Sequence, residues 1–292
     1  MTTEFIDYWN ARLEFLDVHY HVAPDAFQRR HGVIAAGQRY QQLHGGVVLK
    51  NHLGDSVASA EAARELDLPV FGSMVLNAVA GGPSWRAVEQ SLCKVQSRHS
   101  GRLLVHLPTV TGASHKSRLT RTHSSPICAD KGSAPSRITD AQGALVPEVL
   151  ELLALARDYP VVISSGHASR TEVMRLLEAA DRLNVPRLML NQPANPMTGL
   201  KASDLAAIAG AGWLYIEQTA LTYMLGYQDW DDFYAVLSTL PNVVYSSDLG
   251  QRSQPDIDEW CTQSLDWFDR MQLDEKRRAE VSLTTPLAML AP

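Results

Sequence analysis

The chain has 292 residues, and its 26 Lys and Arg stand against 32 Asp and Glu, which gives a formal net charge of −6. This acidic balance argues against a nucleic-acid partner. A composition of 45% hydrophobic and 20% charged residues is typical of a globular protein with a sizeable core. No stretch approaches the roughly 18 consecutive apolar residues that a membrane span needs.

The cysteines indicate a reducing compartment. Cys93, Cys128 and Cys261 lie far apart in the sequence and form no C-x-x-C pair. The first residues contain neither the basic region nor the apolar core of a secretory signal. We therefore expect a cytoplasmic protein that binds neither nucleic acid nor membrane.

Short apolar runs rich in β-branched residues alternate with longer helix-like segments along the chain. The runs predict eight strands, at 15–18, 46–49, 70–73, 103–105, 161–164, 187–190, 213–216 and 243–246. Helical patterns lie between them, at 56–66, 84–98, 147–157, 171–183, 203–209 and 230–240. Eight βα units in about 250 residues are typical of a (β/α)8 TIM barrel, and no strand is followed by the G-x-G-x-x-G of a Rossmann sheet. We predict one barrel domain over residues 1–292.

One connection is too long for an ordinary loop of such a barrel. Residues 109–143 are polar and rich in Ser, Thr, Gly and Pro. A loop of this kind is usually a lid or disordered. Basic residues in such a loop more often form a solvated surface than the wall of a pocket. If they close over the site, we expect the substrate to be an anion. They are Lys116, Arg118, Arg121, Lys131 and Arg137.

The reactive groups of a barrel belong at the carboxyl ends of its strands. His19 and His21 follow the first strand, and because strand side chains alternate, both project to the same side. An isolated H-x-H is weak evidence for a metal site, since most such histidines are ordinary polar or core residues.

Other strand ends add ionisable groups at the same rim. Lys50 and His52 follow the second strand, His167 the fifth and Asp248 the eighth. Imidazole nitrogens and a carboxylate are ligands for zinc, which is our first choice, and for manganese or iron. A bound metal would lower the pKa of a water towards 7, and a neighbouring carboxylate can take its proton.

The same residues carry a resemblance to a known family. The sequence resembles the amidohydrolase superfamily of metal-dependent hydrolases, and more closely an uncharacterised amidohydrolase-related branch. The resemblance implies that His19, His21, His167 and Asp248 are metal ligands and that Asp248 is also the general base. The similar segments are Asp17-Val18-His19-Tyr20-His21-Val22-Ala23-Pro24-Asp25, Val48-Leu49-Lys50-Asn51-His52, Leu76-Asn77 with Gly81-Gly82, Leu107-Pro108-Thr109, Ser165-Gly166-His167 and Ser247-Asp248-Leu249-Gly250-Gln251.

Two strands depart from the family pattern. Where strand 6 usually ends in a histidine, this chain has Asn191 and Gln192, and amides are poor zinc ligands. Strand 4 has His106 instead of the carboxylated lysine or glutamate of two-metal members. Lys50 could be carbamylated in its place, but a simple cation that binds a substrate carboxylate is slightly favoured. We therefore favour one metal over two.

The function predicted from these residues is hydrolysis of an amide, cyclic amide or lactone bond by a metal-activated water. Lys50 or His52 would polarise the carbonyl or bind a carboxylate. His52 and His106 could each also be a metal ligand or a polar rim residue with only structural partners, and the first is favoured for His52 and the second for His106. Further substrate contacts are predicted for Asn77, His106, Gln192, Glu217 and Gln251. Glu217 has two equally weighted alternatives, the orientation of a metal ligand and a buried salt bridge.

Two other functions stay open. Related single-metal barrels decarboxylate aromatic or unsaturated acids, and the missing strand 6 histidine does not exclude this lyase chemistry. A barrel that binds a small molecule without turnover is the second alternative. The resemblance also suggests a homo-oligomer, a dimer or larger.

Overall fold

The structure is a computed structural model that describes residues 2–112, 118–119 and 121–292. Its centre is a sheet of parallel strands in the order β1 to β8, each paired with the next in sequence. The strands are β1 (Phe15–His21), β2 (Gly45–Lys50), β3 (Val70–Val75), β4 (Leu103–His106), β5 (Val161–Ser164), β6 (Leu188–Leu190), β7 (Leu214–Thr219) and β8 (Val243–Ser246).

The sheet closes on itself between β8 and β1. The backbone N–H of Asp248 donates to the carbonyl of His19 at 2.9 Å, and that of His21 donates to the carbonyl of Leu249 at 2.9 Å. The predicted (β/α)8 TIM barrel is therefore confirmed. The closure also joins the strand ends that carry two of the predicted metal-binding segments.

Helices alternate with the strands, and most of them pack on the outside of the barrel. None of them, within the described part of the chain, is long and apolar enough to cross a membrane. They are α1 (Thr2–Asn10), α2 (Val33–Gln42), α3 (Val57–Arg64), α4 (Trp85–Leu92), α5 (Pro126–Lys131), α6 (Pro147–Asp158), α7 (Arg170–Arg182), α8 (Ala202–Ala206), α9 (Ala220–Met224), α10 (Trp230–Thr239), α11 (Ile257–Arg270), α12 (Glu275–Ala279) and α13 (Thr285–Leu290).

The predicted helix at 84–98 is too long, because α4 ends at Leu92. The Glu61 carboxylate accepts hydrogen bonds from the backbone N–H groups of Gln96 and Ser97, at 3.2 and 2.8 Å. These bonds hold the chain in a non-helical path after α4. Local periodicity does not reveal them, because Glu61 belongs to α3.

The two ends of the chain fill the amino-terminal end of the barrel. Phe5 and Trp9 of α1 and Leu287 and Leu290 of α13 are buried in one cluster. Inward-facing strand residues such as Leu104 complete that cluster. Because this end is packed with apolar side chains, a polar ligand site belongs at the opposite, carboxyl end.

The connection at 109–143 has its own structure where it is described. It contains α5, which the Ser125 hydroxyl caps by accepting a hydrogen bond from the Cys128 backbone N–H at 3.1 Å. Lys116, one of the predicted basic residues, lies outside the described residues.

Candidate active site

A cavity of about 380 Å³ lies at the carboxyl ends of the strands. It is lined by the predicted residues His19, His21, Lys50, His52, His167, Gln192 and Asp248. His19 and His21 lie two residues apart in β1, where the pairing with β2 is irregular between Asp17 and Tyr20, and both histidines line the cavity. The ends of the other strands and the loops after them bring the remaining groups to the same rim.

Three of the four predicted metal ligands form a tight group. Oδ1 of Asp248 lies 3.0 Å from Nε2 of His19 and 3.3 Å from Nε2 of His21. His19 is fully buried, and 13% of the Asp248 side chain is exposed. Donor atoms of all three residues lie within 4.8 Å of one another, so the group could hold a metal ion.

The second ring nitrogen of His19 faces away from this group. Its Nδ1 lies 2.8 Å from Oε1 of Glu217, and both side chains are fully buried. Nδ1 is therefore the protonated nitrogen, since a carboxylate can only accept. In the neutral imidazole Nε2 then carries the lone pair, and this is the form in which histidine binds metals.

The geometry and electrostatics of the group fit a divalent metal. Despite its proximity to Asp248, Nε2 of His19 is buried and has no hydrogen-bond partner among the residues that the structure describes. Neighbouring ligands of a tetrahedral zinc with bonds near 2.0 Å lie about 3.3 Å apart, close to the separations seen here. Burial lowers the pKa of His19, but Asp248 and Glu217 outweigh burial and raise it to about 8, so the site favours positive charge.

His167, the fourth predicted ligand, lines the same cavity but does not join the tight group. Burial, reinforced by the charge of Lys50, lowers the pKa of His167 to about 3. Its imidazole is therefore neutral at physiological pH and offers a lone pair to the cavity.

The backbone around Asp248 is held in an unusual conformation. Asp248 has a φ of 54°, in the left-handed region that side chains rarely adopt. Oδ1 of Asp17 accepts hydrogen bonds from the backbone N–H groups of His19 and Ser247, both at 3.0 Å. Asp17 thus ties the two segments that carry the metal-ligand candidates.

Lys50 is a buried cation on the β2 side of the cavity. Its Nζ donates to Oδ1 of Asn191 at 3.1 Å, and its side chain is almost fully buried. Burial lowers the pKa of Lys50 to about 8. Asn191, at the strand 6 position that departs from the amidohydrolase pattern, is therefore a hydrogen-bond partner of Lys50.

Sequence reasoning missed the role of two residues beside His52. The Asp25 carboxylate accepts from Nδ1 of His52 at 3.0 Å and from the Arg29 guanidinium at 2.6 Å. Burial raises the pKa of Asp25, but His52 and Arg29 outweigh it and hold this pKa well below its usual range. In the sequence, Asp25 lies after strand 1 and four residues before Arg29, and this spacing is the feature from which the pair could have been predicted.

The predicted substrate-binding residues separate into two groups. Gln192 lines the cavity, and its Nε2 donates to Oδ2 of Asp248 at 2.6 Å. The other four are buried and are absent from the cavity wall formed by the described residues, namely Asn77, His106, Glu217 and Gln251. Their predicted contacts with substrate remain predictions.

Two of these buried residues have clear structural partners. Oδ1 of Asn77 accepts from the backbone N–H groups of Thr109 and Val110, at 2.8 and 3.1 Å, and so fixes the start of the long connection. Nδ1 of His106 lies 2.8 Å from the Ser164 hydroxyl, while its Nε2 is buried and meets no hydrogen-bond partner in the described part of the chain.

The basic residues of the long connection also have different environments. Arg121 lines the cavity, and the Arg118 guanidinium donates to the carbonyls of Leu225 and Gly226. All four residues are exposed, but Lys131 and Arg137 lie outside the cavity wall formed by the described residues. Part of the connection is therefore a pocket wall, contrary to the more common case of a fully solvated loop.

Comparison with known proteins supports the fold and gives the family. The fold is similar to that of an amidohydrolase from Burkholderia multivorans with bound zinc, with a TM-score of 0.54 and 11% identity over 95% of this chain and 99% of that one. Amidohydrolase 2 from Bifidobacterium longum subsp. infantis gives a TM-score of 0.47 and 14% identity over 95% of this chain and 98% of that one. No curated protein matches. The model of a family of unknown function, DUF6282, matches residues 14–217, and the chain belongs to this family.

Proposed function

We propose that this protein is a metal-dependent hydrolase of a small molecule. The observation that supports the proposal is the group formed by His19, His21 and Asp248, with Glu217 fixing the tautomer of His19. A cavity of about 380 Å³ is of the size that holds a small ligand.

Zinc, manganese or iron bound by these residues would supply a Lewis acid and an acidified water. The chain supplies the groups that move protons and orient the substrate. Oδ2 of Asp248 accepts a hydrogen bond from Gln192, and this partly exposed carboxylate would take the proton of the attacking water. Glu217 keeps His19 oriented while charge changes in the site.

Lys50 and His52 stand at the cavity wall as groups for the substrate carbonyl. The Lys50 ammonium can donate to the carbonyl oxygen as negative charge develops there. His52 is held at Nδ1 by Asp25, which leaves its Nε2 for the cavity. An amide, cyclic amide or lactone carbonyl is the substrate group that suits these roles.

The first test is elemental analysis of protein purified without added metal. We expect about one equivalent of a transition metal in the wild type, its loss in His19→Ala and its retention in Lys50→Met. Arg137→Gln is the control, because this exposed residue lies outside the cavity wall. Absence of metal from folded wild type, even after reconstitution with zinc, manganese and iron, would refute the proposal.

The second test assigns the reaction. Wild type and Asp248→Asn are incubated with a panel of amides, lactones and carboxylic acids in ¹⁸O-labelled water. We expect label in the product of the wild type and loss of most turnover in the folded variant. Release of carbon dioxide with no label in the organic product would instead assign a lyase, and ligand-induced stabilisation without product would assign a binding protein.

A further inference from the structure

Arg121 differs from Arg29 in having no carboxylate partner among the described residues. Within the described residues, no carboxylate oxygen lies within 4.0 Å of its guanidinium. Arg29, by contrast, lies 2.6 Å from Asp25. The Arg121 guanidinium instead lies over the Phe27 ring, with its carbon 5.1 Å from the ring centre. Stacking of this kind leaves the N–H groups at the edge of the guanidinium for a planar anion.

The chain is anchored on both sides of Arg121. Before it, the backbone N–H of Arg118 donates to the Tyr227 hydroxyl at 2.8 Å, next to β7 and α9. After it, the Thr122 carbonyl accepts from Gln28 at 2.9 Å, and the Ser124 backbone N–H donates to Ala26 at 2.9 Å. Arg121 therefore stands between an anchor beside α9 and an anchor beside the segment after β1.

Apolar side chains form part of the wall of the cavity that Arg121 lines. Leu119, Leu221 and Leu225 line the same cavity as the metal-ligand candidates. Among the described residues that line the cavity, Lys50 is a second cation and Asp248 is the only carboxylate. The pocket thus combines an excess of positive charge with an apolar wall, which suits an organic anion better than a neutral polar molecule.

We propose that Arg121 binds the carboxylate of the substrate, and that the substrate is a small carboxylic acid with an apolar body. The carboxylate pairs with the free edge of the guanidinium, and the apolar body contacts the leucine wall. This inference rests on the proposed function, because the reacting carbonyl then lies at the end of the cavity that holds His19 and Asp248. Arg121 is a specificity-determining residue in this arrangement.

The test measures the binding of two probes to the metal-loaded protein by calorimetry. Benzoate has a carboxylate on an apolar ring, and benzamide has nearly the same shape without the charge. We expect Arg121→Gln to weaken benzoate binding by at least about tenfold, as is typical for the loss of a charged hydrogen bond. Benzamide binding stays unchanged, Arg121→Lys is intermediate, and Arg137→Gln binds like the wild type.

Several results would overturn the carboxylate site. They are the absence of benzoate binding to the wild type, equal affinity of the wild type for benzoate and benzamide, and unchanged benzoate affinity in Arg121→Gln. Loss of benzoate binding in His19→Ala together with full binding in Arg121→Gln would place the carboxylate at the metal-ligand group, and the proposed hydrolase would stand. Arg121-dependent binding in a protein that takes up no metal would support the carboxylate site and refute the hydrolase. Thermal unfolding of each variant shows whether it is folded.

Discussion

Glu217 accepts a hydrogen bond from Nδ1 of His19 at 2.8 Å, deep in the barrel, and this bond turns the lone pair of His19 towards Asp248. The same carboxylate accepts from the Ser246 hydroxyl at 2.9 Å and from the backbone N–H of Gln192 at 3.0 Å. Three donors from three different strand ends thus converge on one buried carboxylate. Glu217 therefore couples the position of His19 to the ends of β6 and β8.

The substitution Glu217→Gln tests this coupling. An amide offers one acceptor oxygen and an NH2 group that faces donors, so at least one buried donor loses its partner, at a cost of about 1–3 kcal/mol. The altered support for His19 should weaken zinc binding by about 10–100-fold. Chelator competition measures the zinc affinity, and urea unfolding of the metal-free protein measures the stability.

Glu178→Gln is the matched control, because 65% of this side chain is exposed and it lies in α7. It should change neither quantity. Equal zinc affinity of Glu217→Gln and the wild type would contradict the role of Glu217 as the group that positions His19.

The buried pair of Asp25 and Arg29 makes stability depend on pH. The pKa of Asp25 in the folded protein lies well below that of the unfolded chain, which is about 3.9. Its contribution to stability is therefore present above pH of about 4 and is lost as the pH falls below that value. Asp25→Asn should destabilise the protein by about 3–5 kcal/mol at pH 7, because the Arg29 charge stays buried without its partner.

Urea unfolding at pH 7, 5 and 3.5 measures this effect. The difference in unfolding free energy between the wild type and Asp25→Asn should be smaller at pH 3.5, because partial loss of the carboxylate's contribution then lowers the stability of the wild type. Asp158→Asn is the control, because Asp158 forms an exposed ion pair with Arg157 and should have no measurable effect. A difference that is the same at all three pH values would contradict the assignment.

The barrel could be predicted because its strands are apolar runs, which the local pattern of hydrophobic residues shows directly. β5 and β8 have the predicted bounds, but β1 continues through His21 and β7 continues through Thr219. In both extended strands, polar residues point into the barrel, where His19 and Glu217 pair with each other. A local hydrophobic pattern assigns such polar residues to loops, because it cannot show the partners, distant in the sequence, that they meet inside the barrel.

The candidate site could be predicted in part for the same reason. His19, His21 and Asp248 were found by their positions at strand ends, which the barrel brings together. Asp25 was missed as a partner of His52 because the two lie 27 residues apart, and only the fold places them in contact. The location of Arg121 in the cavity wall could not be derived, since it depends on contacts of the long connection with Tyr227 and Gln28.

A substitution in the apolar cluster at the amino-terminal end of the barrel should lower the stability of the protein without changing its metal content. Leu287 of α13 is fully buried there with Phe5 and Trp9, far from the metal-ligand group at the other end. Leu287→Ala should cost about 2–5 kcal/mol of unfolding free energy, and the metal content should stay at the wild-type value. Urea unfolding with elemental analysis checks both. Loss of metal from the folded variant would contradict the separation of the two ends.

The substitution Gly250→Ala tests whether the backbone next to Asp248 sets the geometry of the site. Its φ is 122°, and a Cβ there would lie 2.1 Å from the carbonyl oxygen of His21. This backbone cannot yield without shifting β1, so Gly250→Ala should destabilise the fold by about 1–3 kcal/mol and displace His21 from Asp248. Weaker zinc binding in chelator competition should accompany the loss of stability. Gly210→Ala is the control, because a Cβ at Gly210 meets nothing within 4 Å and its φ is not positive. If the two alanine variants bind zinc equally well, the close approach of Gly250 to His21 does not set the geometry of the site.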